Sequence, residues 1–468
     1  MRYRILLLLS ALLLPSCREA DGPLGGTNGK LIVSSDPQGA RIFVDEEDTG
    51  LLTPDSITDI GGSHTVLALL DGGIGIYTYG ARVVIVGSEP FTLNGPLTAR
   101  CTSLESQGSC YNRNRQALTA GNMTVSVNAL GAMFLQDGSG EGIIWPAGTN
   151  DSYVSNAMPM IAGKVDGRGV ALGMYDVSIL AGRPTPSLVL SAGSLRTDQR
   201  TWMVPTTTST TLTTIRGIEV REQMVIDPTV PDVAIVRVTY RNITTSPSYQ
   251  QLDVRGTALG TTGITYNDVF VGFGMDPDIG DASDDIMSYD PDRHSVFAYD
   301  ANFSDARFTS GAALSPGLIG LRLLSVPNGG RMVLNGYGTQ GGNGSSSDWH
   351  AGTGDESIGW SIMSGTGAYV PDDPDPNIGM LVPAESDVRM LVSAGPYTLR
   401  PSEELSIIVA IALAKPVAGT FIPAAFVAPG DPHDVNRPIM KIAAALRQKL
   451  IDAEALIPKL GSVLSPAH

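Results

Sequence analysis

KLIVSSDPQGARIFVD, residues 30–45, reads as two strands joined by a turn. Leu31 to Ser34 is apolar enough to pair, and Asp36-Pro37-Gln38-Gly39 carries turn chemistry. Ala40, Ile42 and Val44 then fall on one face of the second strand, because successive side chains of a strand point to opposite sides. Together they predict a β-hairpin. The pattern continues outward through a turn at Asp48 to Gly50, Thr53-Pro54, Ile57, the Gly61-Gly62-Ser63 turn and a strand from His64 to Leu70. The expectation is a mostly β chain.

Composition agrees. Among 468 residues there are 54 Gly and 31 Pro, with 6% aromatic and 17% charged side chains, which favours a turn-rich β protein. A chain of this length divides into more than one core. Its 47 acidic residues outnumber 31 basic ones, for a net charge of −16. Such a field repels nucleic acid and anionic membrane surfaces, and it suits solubility, cation binding or a cationic partner. No basic patch is present, so no nucleic acid partner is expected.

Residues 29–96 resemble the PEGA domain, a small β-sandwich-like module of bacterial surface proteins. The likeness is carried by Pro37-Gln38-Gly39-Ala40, by Ile42-Phe43-Val44-Asp45 after it, by Thr53-Pro54, and by Gly-Ser-His-Thr-Val at 62–66. Gln38 stands where that family's namesake glutamate would. The resemblance implies an envelope accessory module that engages wall or surface polysaccharide, not a catalytic domain.

Upstream, Arg2 and Arg4 precede the apolar run Ile5 to Leu14, which ends in Leu14-Pro15-Ser16-Cys17. This resembles the signal peptide and lipobox of a bacterial lipoprotein. Ten apolar residues are too few to span ~30 Å of hydrocarbon, which argues against a permanent membrane helix. The resemblance implies removal of residues 1–16 and lipidation of Cys17, with residues 17–28 as a lipidated polar tether and the membrane reached through the lipid anchor. Arg18 is not the aspartate associated with inner-membrane retention, so the expected location is the outer membrane of the cell envelope. Cleavage removes two basic residues and takes the net charge to −18.

Cys101 and Cys110, eight residues apart around Gln107-Gly108, remain. In an oxidising compartment they read as a disulfide worth roughly 2.5 to 3 kcal/mol in the chain-entropy model, with two buried free thiols as the alternative. The spacing has no zinc-like partners.

Residues 97–119 read as the connector holding this pair. Beyond it, 120–214 reads as a β-sandwich subdomain, 215–430 as a large β-sandwich domain, and 431–468 as a C-terminal helix and tail. Short strand-like runs at Thr124 to Val127, Ile143-Ile144, Val170 to Met174 and Ser187 to Ser191 give way to longer ones at Val233 to Tyr240, Val269 to Phe273, Leu318 to Leu324, Val388 to Ser393 and Leu405 to Ala414. The predicted fold is therefore an antiparallel β-sandwich region with one helix. In that helix Ile439, Ile442, Ala443, Leu446 and Leu450 share a face at 3.6-residue spacing. The large region also resembles uncharacterised secreted β-rich bacterial proteins, through Trp145-Pro146-Ala147-Gly148-Thr149 with Tyr153, Ala162 to Gly167, Gly217 to Val220, the acidic block from Asp276, and Ser393 to Leu399. That resemblance implies extracellular display.

One stretch carries metal chemistry. Asp276, Asp278, Asp281, Asp284, Asp285, Asp290 and Asp292 place seven carboxylates within seventeen residues. Hard oxygen ligands at alternate positions around a Pro/Gly turn are how a loop wraps calcium, and Asp276, Asp278, Asp281 and Asp285 are the expected ligands. The alternative is a solvated acidic loop. No nucleophile elbow, phosphate-binding loop or zinc-protease motif occurs. Trp145, Trp349 and Trp360 are candidates for stacking on sugar rings, with Trp349-His350 in a Gly/Ser/Asn-rich loop the most exposed by context. The expectation is a non-catalytic surface protein binding polysaccharide or a protein partner, with a surface hydrolase acting on polysaccharide as the alternative.

Overall fold

The computed structural model describes residues 29–36, 38–44, 47–71, 76–86, 88–96, 98–101, 115–128, 142–172, 177–180, 188–191, 194–205, 215, 217–245, 262–301, 316–338, 356–365, 387–418, 434 and 436–460. The fold is mostly β, as the sequence predicts.

Eight strands build the first module: β1 (Lys30–Asp36), β2 (Arg41–Val44), β3 (Glu47–Leu52), β4 (Asp55–Thr58), β5 (Gly62–Asp71), β6 (Ile76–Ile85), β7 (Pro90–Pro96) and β8 (Thr98–Cys101). They form two sheets, β4-β1-β7 and β3-β2-β5-β6-β8. β1 runs antiparallel to β4 and parallel to β7. The expected hairpin between β1 and β2 is not formed. β1 and β2 instead belong to different sheets, with Gly39 ahead of β2 at φ +90°. There the Gly39 amide donates to the Thr53 carbonyl at 2.8 Å and the Ala40 amide to Thr53 Oγ1 at 3.0 Å. The alternation is right but does not discriminate. Leu31 and Val33 on one side and Ala40 and Ile42 on the other bury into the same small core, and two facing sheets satisfy that pattern as well as a hairpin does.

Arg41, on β2, feels the charge of Glu219 in the large region. It is buried, with its guanidinium 5.6 Å from the Phe43 ring centre. Burial pushes its pKa down, and the Glu219 carboxylate opposes that shift.

The large region continues with β9 (Arg115–Ala120), β10 (Met123–Asn128), β11 (Ile143–Ile144), β12 (Asn156–Val165), β13 (Arg168–Leu172), β14 (Val177–Leu180), β15 (Leu188–Ser191), β16 (Ser194–Pro205), β17 (Ile218–Ile226) and β18 (Val233–Asn242). After these come β19 (Tyr266–Asp276), β20 (Asp285–Asp290), β21 (Ser295–Asp300), β22 (Leu318–Ser325), β23 (Arg331–Gly338), β24 (Val388–Leu399) and β25 (Glu404–Ala414). A five-stranded antiparallel sheet, β13-β12-β19-β24-β23, faces a nine-stranded one, β14-β16-β17-β18-β25-β22-β21-β20 with β15 beside β16. One hydrophobic core lies between them, from Leu118 to Leu413 in sequence, including Met158, Phe273 and Val392 of the first sheet and Val236, Leu321 and Val409 of the second. Because β12 pairs with β19 and β16 with β17, the expected division near residue 214 runs through one sandwich.

Helices cover both outer faces. α1 (Glu356–Ser364), absent from the sequence reading, lies on the five-stranded sheet against β12, β13, β19 and β24. The predicted C-terminal helix is present as α2 (Pro438–Ile442) and α3 (Ala444–Asp452), followed by a 3-10 turn over Ala453–Lys459. Ile439, Ile442, Ala443, Leu446 and Leu450 are all buried on the outer face of the nine-stranded sheet, where each large aliphatic side chain contributes roughly 1.5–3 kcal/mol. Gly320 of β22 makes the close approach possible. A Cβ there would lie 2.9 Å from Leu450 Cδ1 and 3.2 Å from Leu446 Cδ2.

Candidate metal centre

The acidic stretch is where the chain passes between the sheets. It leaves the five-stranded sheet at Asp276, the end of β19, and enters the nine-stranded sheet at Asp285, the start of β20. Gly280 at φ +76° permits the turn between them. The segment before β12 holds the crossover from the side: the Ser155 amide donates to the Asp276 carbonyl at 2.8 Å, and the Asp278 amide to the Tyr153 carbonyl at 3.2 Å.

The structure divides the four expected ligands among three roles. Asp281 caps the 3-10 turn Ala282–Asp284, its Oδ1 accepting from the Ser283 amide at 3.1 Å and from Ser283 Oγ at 2.9 Å. Asp276 and Asp278 meet Asp387, with one carboxylate oxygen from each lying within 4.8 Å of the others. Asp387 precedes β24 and was not a candidate from the sequence. Arg389 supplies a cation to this trio, its Nη1 2.6 Å from Asp276 Oδ1 and also paired with the Asp387 carboxylate. Asn156, opposite Asp276 in the β12–β19 register, buries an Oδ1 that accepts no hydrogen bond.

Asp285 has a different environment. Its side chain is 0% exposed; Oδ2 accepts from the Ile279 amide at 3.0 Å, and Oδ1 has no hydrogen-bond donor. Burial pushes its pKa well above the usual carboxylate range. The Ile279 bond opposes that shift, while the charges of Asp278, Asp300 and Asp284 add to it. Asp300, another residue missed in the sequence, is directly across from Asp285 in the β20–β21 register and is also 0% exposed. Both sit in phase with Met287, Ala298 and Val296, so they face the space between the sheets. Like charges directly opposite on neighbouring strands destabilise a sheet. Asp300 also approaches the Tyr153 hydroxyl, whose pKa is raised by burial first and then by the carboxylates of Asp151 and Asp300.

Two of the three candidate tryptophans lie among the described residues. Trp145 is 4% exposed, donates from Nε1 to Asp232 Oδ1 at 2.9 Å and meets Tyr153 edge-on at 5.7 Å between ring centres. Trp360 donates to the Asp268 carbonyl at 2.9 Å, and Lys164 Nζ lies 3.8 Å from the centre of its ring. Trp145 is therefore closed off, and Trp360 is half-buried with Lys164 over its ring. Trp349, His350, Cys17 and Cys110 lie outside the described residues, while Cys101 ends β8.

Comparison with known proteins adds little. No family model matches the chain, and no curated protein matches it. Among solved structures, a putative kojibiose phosphorylase from human microbiome is similar at a TM-score of 0.28 and 6% identity, over 72% of this chain and 33% of that one. The chain thus spans about a third of that protein's length, and a likeness this slight bears on neither fold nor activity.

Proposed function

We propose that the protein is a lipid-anchored cell-envelope surface protein without catalytic activity, whose large β-sandwich binds surface polysaccharide or a protein partner. The burial of Asp285, a carboxylate whose pKa is pushed up, supports this reading. A glycoside hydrolase needs two carboxyl groups ~5 to 10 Å apart that both reach the scissile bond. Asp285 has the raised pKa that a general acid needs, yet it and Asp300 opposite it are 0% exposed, and no sugar ring reaches a group closed off from solvent. Several other buried or half-buried carboxylates serve as structural ties: Asp227 to Lys459, Asp232 to Lys449, Asp290 to Arg447, and Glu219 to Arg221. A rigid sandwich with clamped faces suits presentation of loops to a ligand.

Two measurements test the proposal. Cys17→Ser should move the protein from the membrane pellet to the soluble fraction; retention in the pellet at unchanged mass would remove the anchor. Protein incubated with isolated envelope polysaccharide should co-sediment with it or with a partner protein while releasing no reducing ends. Sustained release of reducing ends would establish the hydrolase instead.

A further inference from the structure

We infer that Asp276, Asp278, Asp387 and Asn156 hold one divalent cation of the calcium type where the chain leaves the five-stranded sheet, tying β12, β19 and β24 to the crossover. The inference rests on the geometry of these side chains and stands whether or not the sandwich binds polysaccharide.

The three carboxylates come from separate stretches of chain. Asp276 ends β19, Asp278 follows it into the crossover and Asp387 stands just before β24, yet one oxygen from each lies within 4.8 Å of the others. That spacing matches an ion, because oxygens held at about 2.3 to 2.6 Å from one calcium lie no farther than about 5 Å apart. The charge matches too. Within the cluster three carboxylates face the one guanidinium of Arg389, so negative charge is in excess by two. Gathering like charges is unfavourable unless a cation offsets them. Asp278 and Asp387 are only half-buried, which gives an ion a way in from solvent and room for water in its shell.

Asn156 supplies an independent sign of a ligand. It opens β12 directly opposite Asp276 in the antiparallel β12–β19 register, so the two side chains stand on the same face of the sheet at cross-strand distance. The residue is 2% exposed, and its buried Oδ1 accepts no hydrogen bond. A buried acceptor without a donor is costly, and here its cross-strand neighbour is an acceptor as well. A cation satisfies both at once, and Asn carbonyls are ordinary calcium ligands beside carboxylates. The set differs from the one expected from the sequence because Asp281 caps a turn and Asp285 is fixed by the Ile279 amide.

The test is calcium titration by calorimetry and thermal melting of the full-length protein, purified in detergent, dialysed against chelator and titrated into the millimolar range. The expected result is one calcium per chain, a melting temperature raised by a few degrees, and reversal by chelator. Asp278→Asn and Asp387→Asn should each weaken calcium binding at least tenfold and Asn156→Ala at least threefold, whereas Asp281→Asn, which keeps a turn-capping side chain, should change it less than twofold. If one of the two half-buried carboxylate variants fails to fold, the other decides. Four results overturn the inference. No calcium binding by the parent protein would leave the cluster to Arg389. Unchanged affinity in Asp387→Asn would put the ion elsewhere. A loss in Asp281→Asn equal to that in Asp387→Asn would return the ion to the loop of residues 276–285. A lower melting temperature for Asn156→Ala in chelator, with calcium affinity unchanged, would make its amide a structural partner of Asp276 and not a ligand.

Discussion

The two ends of β20 pose the same electrostatic problem and answer it differently. At its C-terminal end the buried Asp290 carboxylate faces outward, and α3 brings Arg447 onto it while Arg293 adds a second contact. At its N-terminal end Asp285 faces inward beside Asp300, toward a layer that is another sheet and not a helix. A helix on the outer face delivers long cationic side chains, whereas a facing sheet delivers short apolar ones. The outer end answers its charge with arginines, and at the inner end burial pushes the Asp285 pKa well above the usual carboxylate range.

The largest expected effect comes from making the outer end resemble the inner one. Arg447→Met leaves Asp290 buried with only the more exposed Arg293, and breaking a buried pair costs about 3 kcal/mol. Denaturant unfolding should show the midpoint falling with an unchanged slope. Gly320→Val attacks the same end from below, because the added carbons collide with Leu446 and Leu450 and lift α3; about 2 kcal/mol is expected. The double variant should lose less than the sum, since both changes undo one docking. An additive pair would show that Arg447 reaches Asp290 without the helix seated.

At the inner end the effect depends on pH. Burial holds the Asp285 pKa well above the usual carboxylate range, so stability falls as pH rises above the unfolded carboxylate value, and Asp285→Asn should flatten that fall in denaturant titrations run across pH. An equal fall in the variant would mean that Asp285 does not carry it. The smallest effect belongs to Lys164→Met. Its ion pair with Asp268 at 3.0 Å is 28% and 50% exposed, so removal should cost under about 1 kcal/mol, most of it from the contact with Trp360.

Legibility in the sequence followed the range of the interaction. Strands such as Leu318 to Leu324 and Leu405 to Ala414 and the helix face through Leu446 and Leu450 were readable, because period and burial are local properties. The hairpin at 36–39 was misread because a turn looks the same whether its strands pair or face each other. α1 escaped because nine residues with Gly359 in the middle and Gly/Ser-rich flanks give little helical periodicity. In the acidic loop, residue type was legible but partnership was not. Asp300 meets Asp285 through the β20–β21 register, and Arg389 meets Asp276 through a pairing of β19 with β24 across more than a hundred residues.

The placement of β1 has a mechanical consequence. It lies between β4 and β7, and its seven residues run parallel to β7 from Lys30 beside Pro90 to Asp36 beside Pro96. In a chain tethered ahead of Lys30, tension enters at the start of β1 and leaves toward the sandwich past the end of β7. Opposed pulls on two parallel strands load their hydrogen bonds in shear, all at once, instead of peeling them one by one. The first module would then hold as a force-bearing clasp, resisting drag on the sandwich it carries.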